Sequence, residues 1–299
     1  MTNPVKDESR LNDGDDEIAV LCEKHHIIGR REELEGMLSC LRAGRHVLLE
    51  GPVGVGKTVL AKAGGEGLRR PIFRVDGDGR YTEQKLVGHF DPPGVLEKGY
   101  GPDTFFGGPL HEAMKHGGIL FVNELNRMPE GVQNVLLPVM DEHLLQLPHL
   151  PPLRAAAGFG IVATMNPREF VATGHLSEAL LDRFELITLT HQSEAEEIEI
   201  VETHAKVRGR VDPRLVEEAV QLVRRTRGHP NVARGASVRA AIAMVEIAMA
   251  MKGRNRLARA AKLALPTRME LKEPGMESLS ALLSELIPEK KNESVPPRI

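Results

Sequence analysis

The segment Gly51-Pro-Val-Gly-Val-Gly-Lys57-Thr58 follows the apolar run His46-Val-Leu-Leu49 and satisfies the pattern G-x-x-x-x-G-K-[ST] without substitution. Each position in that pattern has a chemical job. Glycines let the backbone wrap closely around phosphates, and the amide N–H groups that follow point inward at a helix N-terminus. Lys57 can reach the β and γ phosphates of a nucleotide, and the Thr58 hydroxyl can ligate Mg²⁺. The alternative is a Gly-rich strand-to-helix turn that carries a lysine by chance. The strand-like run before the loop and the helix-like Thr58-Val-Leu-Ala-Lys-Ala63 after it argue against that alternative. Gly51, Pro52, Val53, Gly54, Val55, Gly56, Lys57, Thr58 and Val59 are therefore the expected contacts of a nucleoside triphosphate with Mg²⁺.

Four sites downstream could complete the chemistry. Gly118-Ile-Leu-Phe-Val-Asn-Glu-Leu125 is an apolar run ending in Asn123 and Glu124. Ligand chemistry in open α/β sheets is expected at that end of a strand. Glu124 suits a general base that orients a water for attack on the γ-phosphate. Asn123 stands where a metal-organising aspartate is usual; its amide oxygen can still accept from a metal-bound water, but a full negative charge is missing, so weaker Mg²⁺ affinity is expected. Ile161-Val-Ala-Thr-Met-Asn-Pro167 ends a second apolar run in Asn166, an amide able to position the attacking water if its strand is a neighbour of the first two. Alone, Asn-Pro is a turn signal; its order after the first two motifs favours the site. In Leu176-Ser-Glu-Ala-Leu-Leu-Asp-Arg-Phe184, Arg183 is either a salt-bridge partner of Asp182 or a guanidinium that completes the γ-phosphate site of a neighbouring subunit. Arg239, in Gly235-Ala-Ser-Val-Arg239, either pairs with a surface carboxylate or reaches back to the phosphates.

These residues require a scaffold of strands and helices. Apolar runs at Val47–Leu49, Ile72–Val75, Ile119–Val122, Ile161–Met165 and Leu186–Leu189 alternate with helical segments such as Gly131–Asp141 and Ser177–Leu181. Short, fully apolar strands separated by helices indicate a parallel sheet covered on both faces. From about Ser193 the pattern turns helical, with segments at Glu194–Arg208, Pro213–Arg225 and Ser237–Lys252. The expected organisation is an acidic, disordered tail over 1–25, a nucleotide-binding α/β core over 26–192 with a five-stranded parallel sheet sandwiched by helices, a small all-α lid over 193–270 and a loosely held tail over 271–299.

Bulk properties narrow the function. The chain has 299 residues, 41% hydrophobic and 27% charged, as in ordinary soluble proteins. A formal net charge of -3 and an aromatic content of 3% without Trp argue against a nucleic-acid-binding surface. The cluster Arg224-Arg-Thr-Arg227 points the other way, although a solvated helix face explains it more simply. Cys22 and Cys40 are the only cysteines, so a disulfide framework is excluded and a reducing, cytoplasmic setting is expected. The longest apolar stretch, Ala240–Met251, contains Glu246 and is too short to span a bilayer.

Taken in order, Gly51–Thr58, Asn123-Glu124, Asn166, Arg183 and Arg239 resemble the Walker A, Walker B, sensor 1, arginine-finger and sensor 2 positions of an AAA+ ATPase. Asn123-Glu-Leu-Asn-Arg-Met-Pro129, Thr164-Met-Asn-Pro167, Leu181-Asp-Arg-Phe184 and Arg227-Gly-His-Pro230 resemble the MoxR family within that group. The resemblance covers about Ile27 to Leu265. It implies a homo-oligomeric ring, usually a hexamer, that hydrolyses ATP to remodel or mature a client protein, in some members a metalloenzyme, beside a von Willebrand factor A-type partner. It also implies that Ile28 and Gly29 line the adenine pocket. Gly94–Phe106, with Lys98, Tyr100, Phe105 and Phe106, falls where relatives carry a loop facing the ring's pore; core packing of those aromatics is an equal alternative. Asn123, and Val238 in place of a frequent proline, depart from the family pattern. Two other functions stay open: a nucleotide-gated binding module with weak hydrolysis, motivated by Asn123, and a DNA-acting motor.

Overall fold

A computed structural model describes residues 9–166, 176–207, 209, 211–273 and 275–287. Pro167 and Arg208, named above, lie outside the described residues, as does the chain after 287. The chain divides after Thr190 into two compact units.

The first unit is built on five strands, β1 (His46–Glu50), β2 (Ile72–Asp76), β3 (Ile119–Asn123), β4 (Gly160–Met165) and β5 (Phe184–Thr188). All pair in parallel, in the order β2-β3-β4-β1-β5. Burial follows position in the sheet. The three inner strands are covered on both faces and buried almost throughout, whereas the edge strands β2 and β5 each bury a single residue, Val75 and Phe184. Successive side chains point to opposite faces, so each inner strand feeds two cores. Leu48, Leu120, Val122, Ile161 and Ala163 enter one, with Leu110 and Met114 of the helix Pro109–His116 and Val139 of the helix Leu136–Glu142. Val47, Leu49, Ile119, Phe121 and Val162 enter the other, with Leu34, Met37, Leu38 and Leu41 of α2 (Arg31–Arg42) and Leu60, Ala61 and Ala63 of α3 (Lys57–Gly67). This is the α/β sandwich expected from the alternating runs.

The acidic N-terminal segment departs from expectation. Ser9–Lys24 is a helix, α1, where a disordered tail was expected from its charge. Ile18 and Leu21, three residues apart and so on one helix face, enter the second core, with Cys22 partly buried beside them. Arg42 also holds Glu17 at 2.6 Å. Composition averaged over the segment concealed that short apolar stripe.

The second unit is helical, with Glu194–His204, Pro213–Gly228, Val238–Ala250, Arg256–Ala264 and Met276–Leu286. One short antiparallel ladder joins Val232–Arg234 to Glu270–Leu271. Ser193 and Glu196 form a reciprocal capping box at the first helix, and Asp212 caps the second ahead of Pro213. The expected loose tail over 271–299 is corrected in part: its described residues include the Met276–Leu286 helix, which buries Leu282, Leu283 and Leu286. Glu197, 1% exposed, is held by Arg224 at 3.1 Å and Arg227 at 2.8 Å. Arg227 also donates to the Ala236 carbonyl at 2.8 Å, and Arg225 donates to the Leu286 carbonyl at 3.0 Å. The arginine cluster is thus committed to internal contacts of this unit. No described helix is long and apolar enough to cross a membrane.

Candidate nucleotide site

The loop Gly51–Thr58 links the C-terminal end of β1 to the N-terminus of α3. Gly54 and Gly56 have φ of 88° and 99°, a backbone region that glycine enters without steric cost. The turn leaves the first N–H groups of α3 without helical acceptors, which makes it an anion cradle. Lys57 folds back over the loop, its ammonium donating to the Pro52 carbonyl at 3.0 Å and to that of Gly51. Gly51 is pressed against the chain leaving β5: a Cβ there would lie 2.4 Å from the Leu189 carbonyl oxygen, and Leu189 N–H donates to Glu50 at 2.7 Å. The segment holding Ile28 and Gly29 is tethered nearby, because buried Arg30 donates to the Thr190 carbonyl and to Glu33 at 2.6 Å.

Strand register assembles the rest. Leu49 pairs with Thr164 and Glu50 with Met165, while Val122 pairs with Ala163. The ends of β1, β4 and β3 therefore lie side by side, bringing Asn166, Asn123 and Glu124 to the edge that carries the loop. Asn166, one residue past β4, is buried. Glu124 has φ of 58°, uncommon for a non-glycine residue, and its N–H donates to Thr164 Oγ1 at 2.8 Å. Its carboxylate accepts from Arg127 at 2.7 Å. The Thr164 hydroxyl donates in turn to Asn123 Oδ1 at 3.1 Å, and Asn123 Nδ2 donates to Asp76 Oδ1 at 3.0 Å. Arg74 grips Asp76 and holds its carboxyl below the usual range, with the Asn123 bond adding to the effect. Sequence reading missed Asp76; the signal was an acidic residue closing the strand next to β3.

Arg183 lies elsewhere. It precedes Phe184, which pairs with His46 at the start of β1, whereas the loop leaves the other end beside Thr188. Arg183 is level with Arg45, so six residue steps at about 3.3 Å each place it on the order of 20 Å from Gly51 along the sheet. Its expected partner Asp182 is replaced by Asp141, which holds it in a two-point fork. Arg45, His46, Asp141, His143 and Arg183 line a polar cavity of about 410 Å³ there. Arg239 is exposed on the second unit, at the second position of the Val238–Ala250 helix.

Core packing accounts for part of the Gly94–Phe106 segment. Phe105 packs edge-on against Phe90 and His111, whereas Tyr100 stacks on His149 yet stays 55% exposed and Phe106 is 57% exposed. Among the described residues no group of three or more His, Cys, Asp or Glu side chains could hold a metal by itself. Thr58 and Asn123 suit a cation carried in largely by phosphate oxygens and water.

The fold and the loop together define a P-loop nucleotide-binding core. A model of the AAA domain of the dynein-related subfamily matches residues 46–184. The chain is 30% identical over 262 residues to the uncharacterized protein YeaC of Bacillus subtilis, covering 75% of this chain and 74% of YeaC. It is 31% identical over 222 residues to the gas vesicle ATPase GvpN of Haloferax mediterranei, covering 69% of this chain and 62% of GvpN. Among solved structures it is similar to a putative ATPase from Cytophaga hutchinsonii, with a TM-score of 0.52, 20% identity and coverage of 93% and 96%. It is also similar to NtrX from Brucella abortus in complex with ADP, with a TM-score of 0.54, 19% identity and coverage of 86% and 58%. The chain belongs to the AAA+ P-loop NTPases.

Proposed function

We propose that this protein hydrolyses ATP and acts as a MoxR-like oligomeric motor that remodels a client protein. The observation that carries the proposal is the side-by-side placement of the β3, β4 and β1 ends, which sets Glu124 and Asn166 at the edge holding the loop. A related chain bearing the name gas vesicle ATPase supports the same chemistry. The N–H groups at the start of α3 bind the phosphates, and Lys57 exchanges its loop carbonyls for phosphate oxygens. Thr58 and Asn123 would hold Mg²⁺, which when bound neutralises charge on those oxygens. Glu124, released from Arg127, takes a proton from water as the water oxygen attacks the γ-phosphorus and the bond to the bridging oxygen breaks. Asn166 positions that water. Arg183 is out of reach of its own loop and serves the site of a neighbouring subunit, so the active form is a ring. Arg239 reports the nucleotide to the lid. The MoxR resemblance supports a hexamer, a von Willebrand factor A-type partner and, as one client class, a maturing metalloenzyme.

A second proposal, a nucleotide-gated module with weak hydrolysis, is favoured by Asn123 and by the Glu124–Arg127 pair. The inward commitment of Arg224, Arg225 and Arg227 disfavours a DNA-acting motor. Phosphate release from Mg-ATP separates the first two. Wild type should turn over, Lys57→Ala should lose nucleotide binding, and Glu124→Gln should keep binding while losing roughly 10²-fold or more in rate. Binding without measurable turnover in the wild type would favour the gated module.

A further inference from the structure

We propose that Asp76 is a positioning residue for the metal-organising end of β3: it fixes the Asn123 amide with its oxygen toward the nucleotide strands and sets a carboxylate, itself held by Arg74, behind that amide. The inference rests on the nucleotide-binding reading above.

Asp76 and Asn123 are register partners at the ends of β2 and β3, and Gly77 N–H donates to the Asn123 carbonyl at 2.7 Å, so the two strand ends are held together by backbone as well as side chain. An amide can point either way, and here its neighbours decide. Thr164, fully buried, accepts the Glu124 N–H on its hydroxyl oxygen, which leaves its own proton for Asn123 Oδ1. On the other side Nδ2 faces the Asp76 carboxylate, which accepts only. The reversed amide would set an oxygen against that carboxylate and an NH₂ against the Thr164 proton. Since β4 lies between β3 and β1, the orientation imposed by Asp76 turns the amide oxygen toward the loop strand. A carboxylate on the NH₂ side also polarises the amide and makes that oxygen a better acceptor for a hydrated cation. Arg74 holds Asp76 in place, through Nε to Oδ2 at 3.0 Å and Nη2 to Oδ1 at 2.6 Å.

An aspartate at position 123 would face Asp76 at hydrogen-bond distance, an unfavourable contact between like charges. A carboxylate is therefore expected to serve at either strand end, but not at both.

The test is the affinity of the purified full chain for a non-hydrolysable ATP analogue, measured by calorimetry with Mg²⁺ and with EDTA. The affinity of each protein in EDTA, for wild type, Asp76→Ala, Asp76→Asn, Asn123→Asp and the double variant Asp76→Asn/Asn123→Asp, is its own reference, and the readout is the gain that Mg²⁺ adds to it. The gain in affinity from Mg²⁺ should fall roughly tenfold in Asp76→Ala, in the range seen when a metal ligand's hydrogen-bonding partner is removed. Asp76→Asn keeps an acceptor for Asn123 without the charge and should fall between the two. Asn123→Asp alone should lose gain, and the double variant should recover to within roughly threefold of wild type on the same scale. An unchanged Mg²⁺ gain in Asp76→Ala, or an Asn123→Asp protein that equals or exceeds the double variant, overturns the proposal. Failure of the wild type to bind in either buffer would instead refute the nucleotide reading itself. Circular dichroism melting of each variant identifies any that fails to fold, and the recovery by the double variant is an outcome that a merely structural role for Asp76 does not produce.

Discussion

Asp141 holds Arg183 in a fork, with Nε donating to Oδ1 at 2.7 Å and Nη2 to Oδ2 at 2.6 Å, although 42 residues separate them. A third nitrogen of the same guanidinium donates to the Ala179 carbonyl. The plane of Arg183 is thereby fixed at the end of the sheet remote from its own loop.

If Arg183 serves a neighbour, Arg183→Ala should lower phosphate release by roughly 10³-fold while leaving nucleotide affinity within about twofold. Arg183→Lys should fall nearly as far, since an ammonium cannot make the fork. Mixing Arg183→Ala with Glu124→Gln subunits should restore part of the rate. Absence of recovery at every mixing ratio would assign Arg183 to structure alone.

Thr164 is the hinge of the polar network, fully buried and bonded to both Glu124 and Asn123. Thr164→Val keeps the shape but leaves the Glu124 N–H without its acceptor, and should cost about 1–3 kcal/mol in urea unfolding. Thr164→Ser should cost less. Equal stability of the valine variant and wild type would show that water replaces the hydroxyl.

His46 should make the fold sensitive to acid. Its side chain is buried, and Nδ1 accepts the Ile161 N–H at 3.1 Å. Burial, and then the neighbouring His143, push its pKa from 6.5 down to about 4. Between those values the unfolded chain binds a proton that the native one does not. Stability is therefore complete above about pH 6.5 and declines by about 3 kcal/mol as the pH falls toward 4. His46→Asn retains an acceptor for Ile161 and should flatten that part of the pH–stability curve; an unchanged slope would place the sensitivity elsewhere.

Glu197 anchors two arginines within the second unit while almost wholly buried. Glu197→Ala leaves buried guanidinium charge uncompensated, above all that of Arg227, and should cost roughly 3–5 kcal/mol. Glu197→Gln should recover some of that loss through its retained oxygen. Thermal melts would show the deficit, and a shift of under about 1 kcal/mol in the alanine variant would indicate that solvent reaches the pair.

Much of the site was legible in residue order because its parts are local. A phosphate cradle needs glycines, Lys57 and Thr58 in one unbroken stretch, and the β1, β3 and β4 runs advertise themselves as apolar because both faces of those strands are covered. The parallel sheet, the helical second unit and the adjacency of Asn123, Glu124 and Asn166 to the loop followed from those signals. Contacts between side chains far apart in the chain carried no such mark. That Asp76 answers Asn123, that Asp141 rather than Asp182 holds Arg183, and that Arg224 and Arg227 turn inward to Glu197 were settled by strand register and helix packing. The acidic N-terminal segment became a helix for the same reason: Ile18 and Leu21 have value only against a surface made by residues elsewhere. A sequence specifies the groups that can do chemistry; which of them meet depends on how the strands are ordered, and that order exists only once the chain has closed on its core.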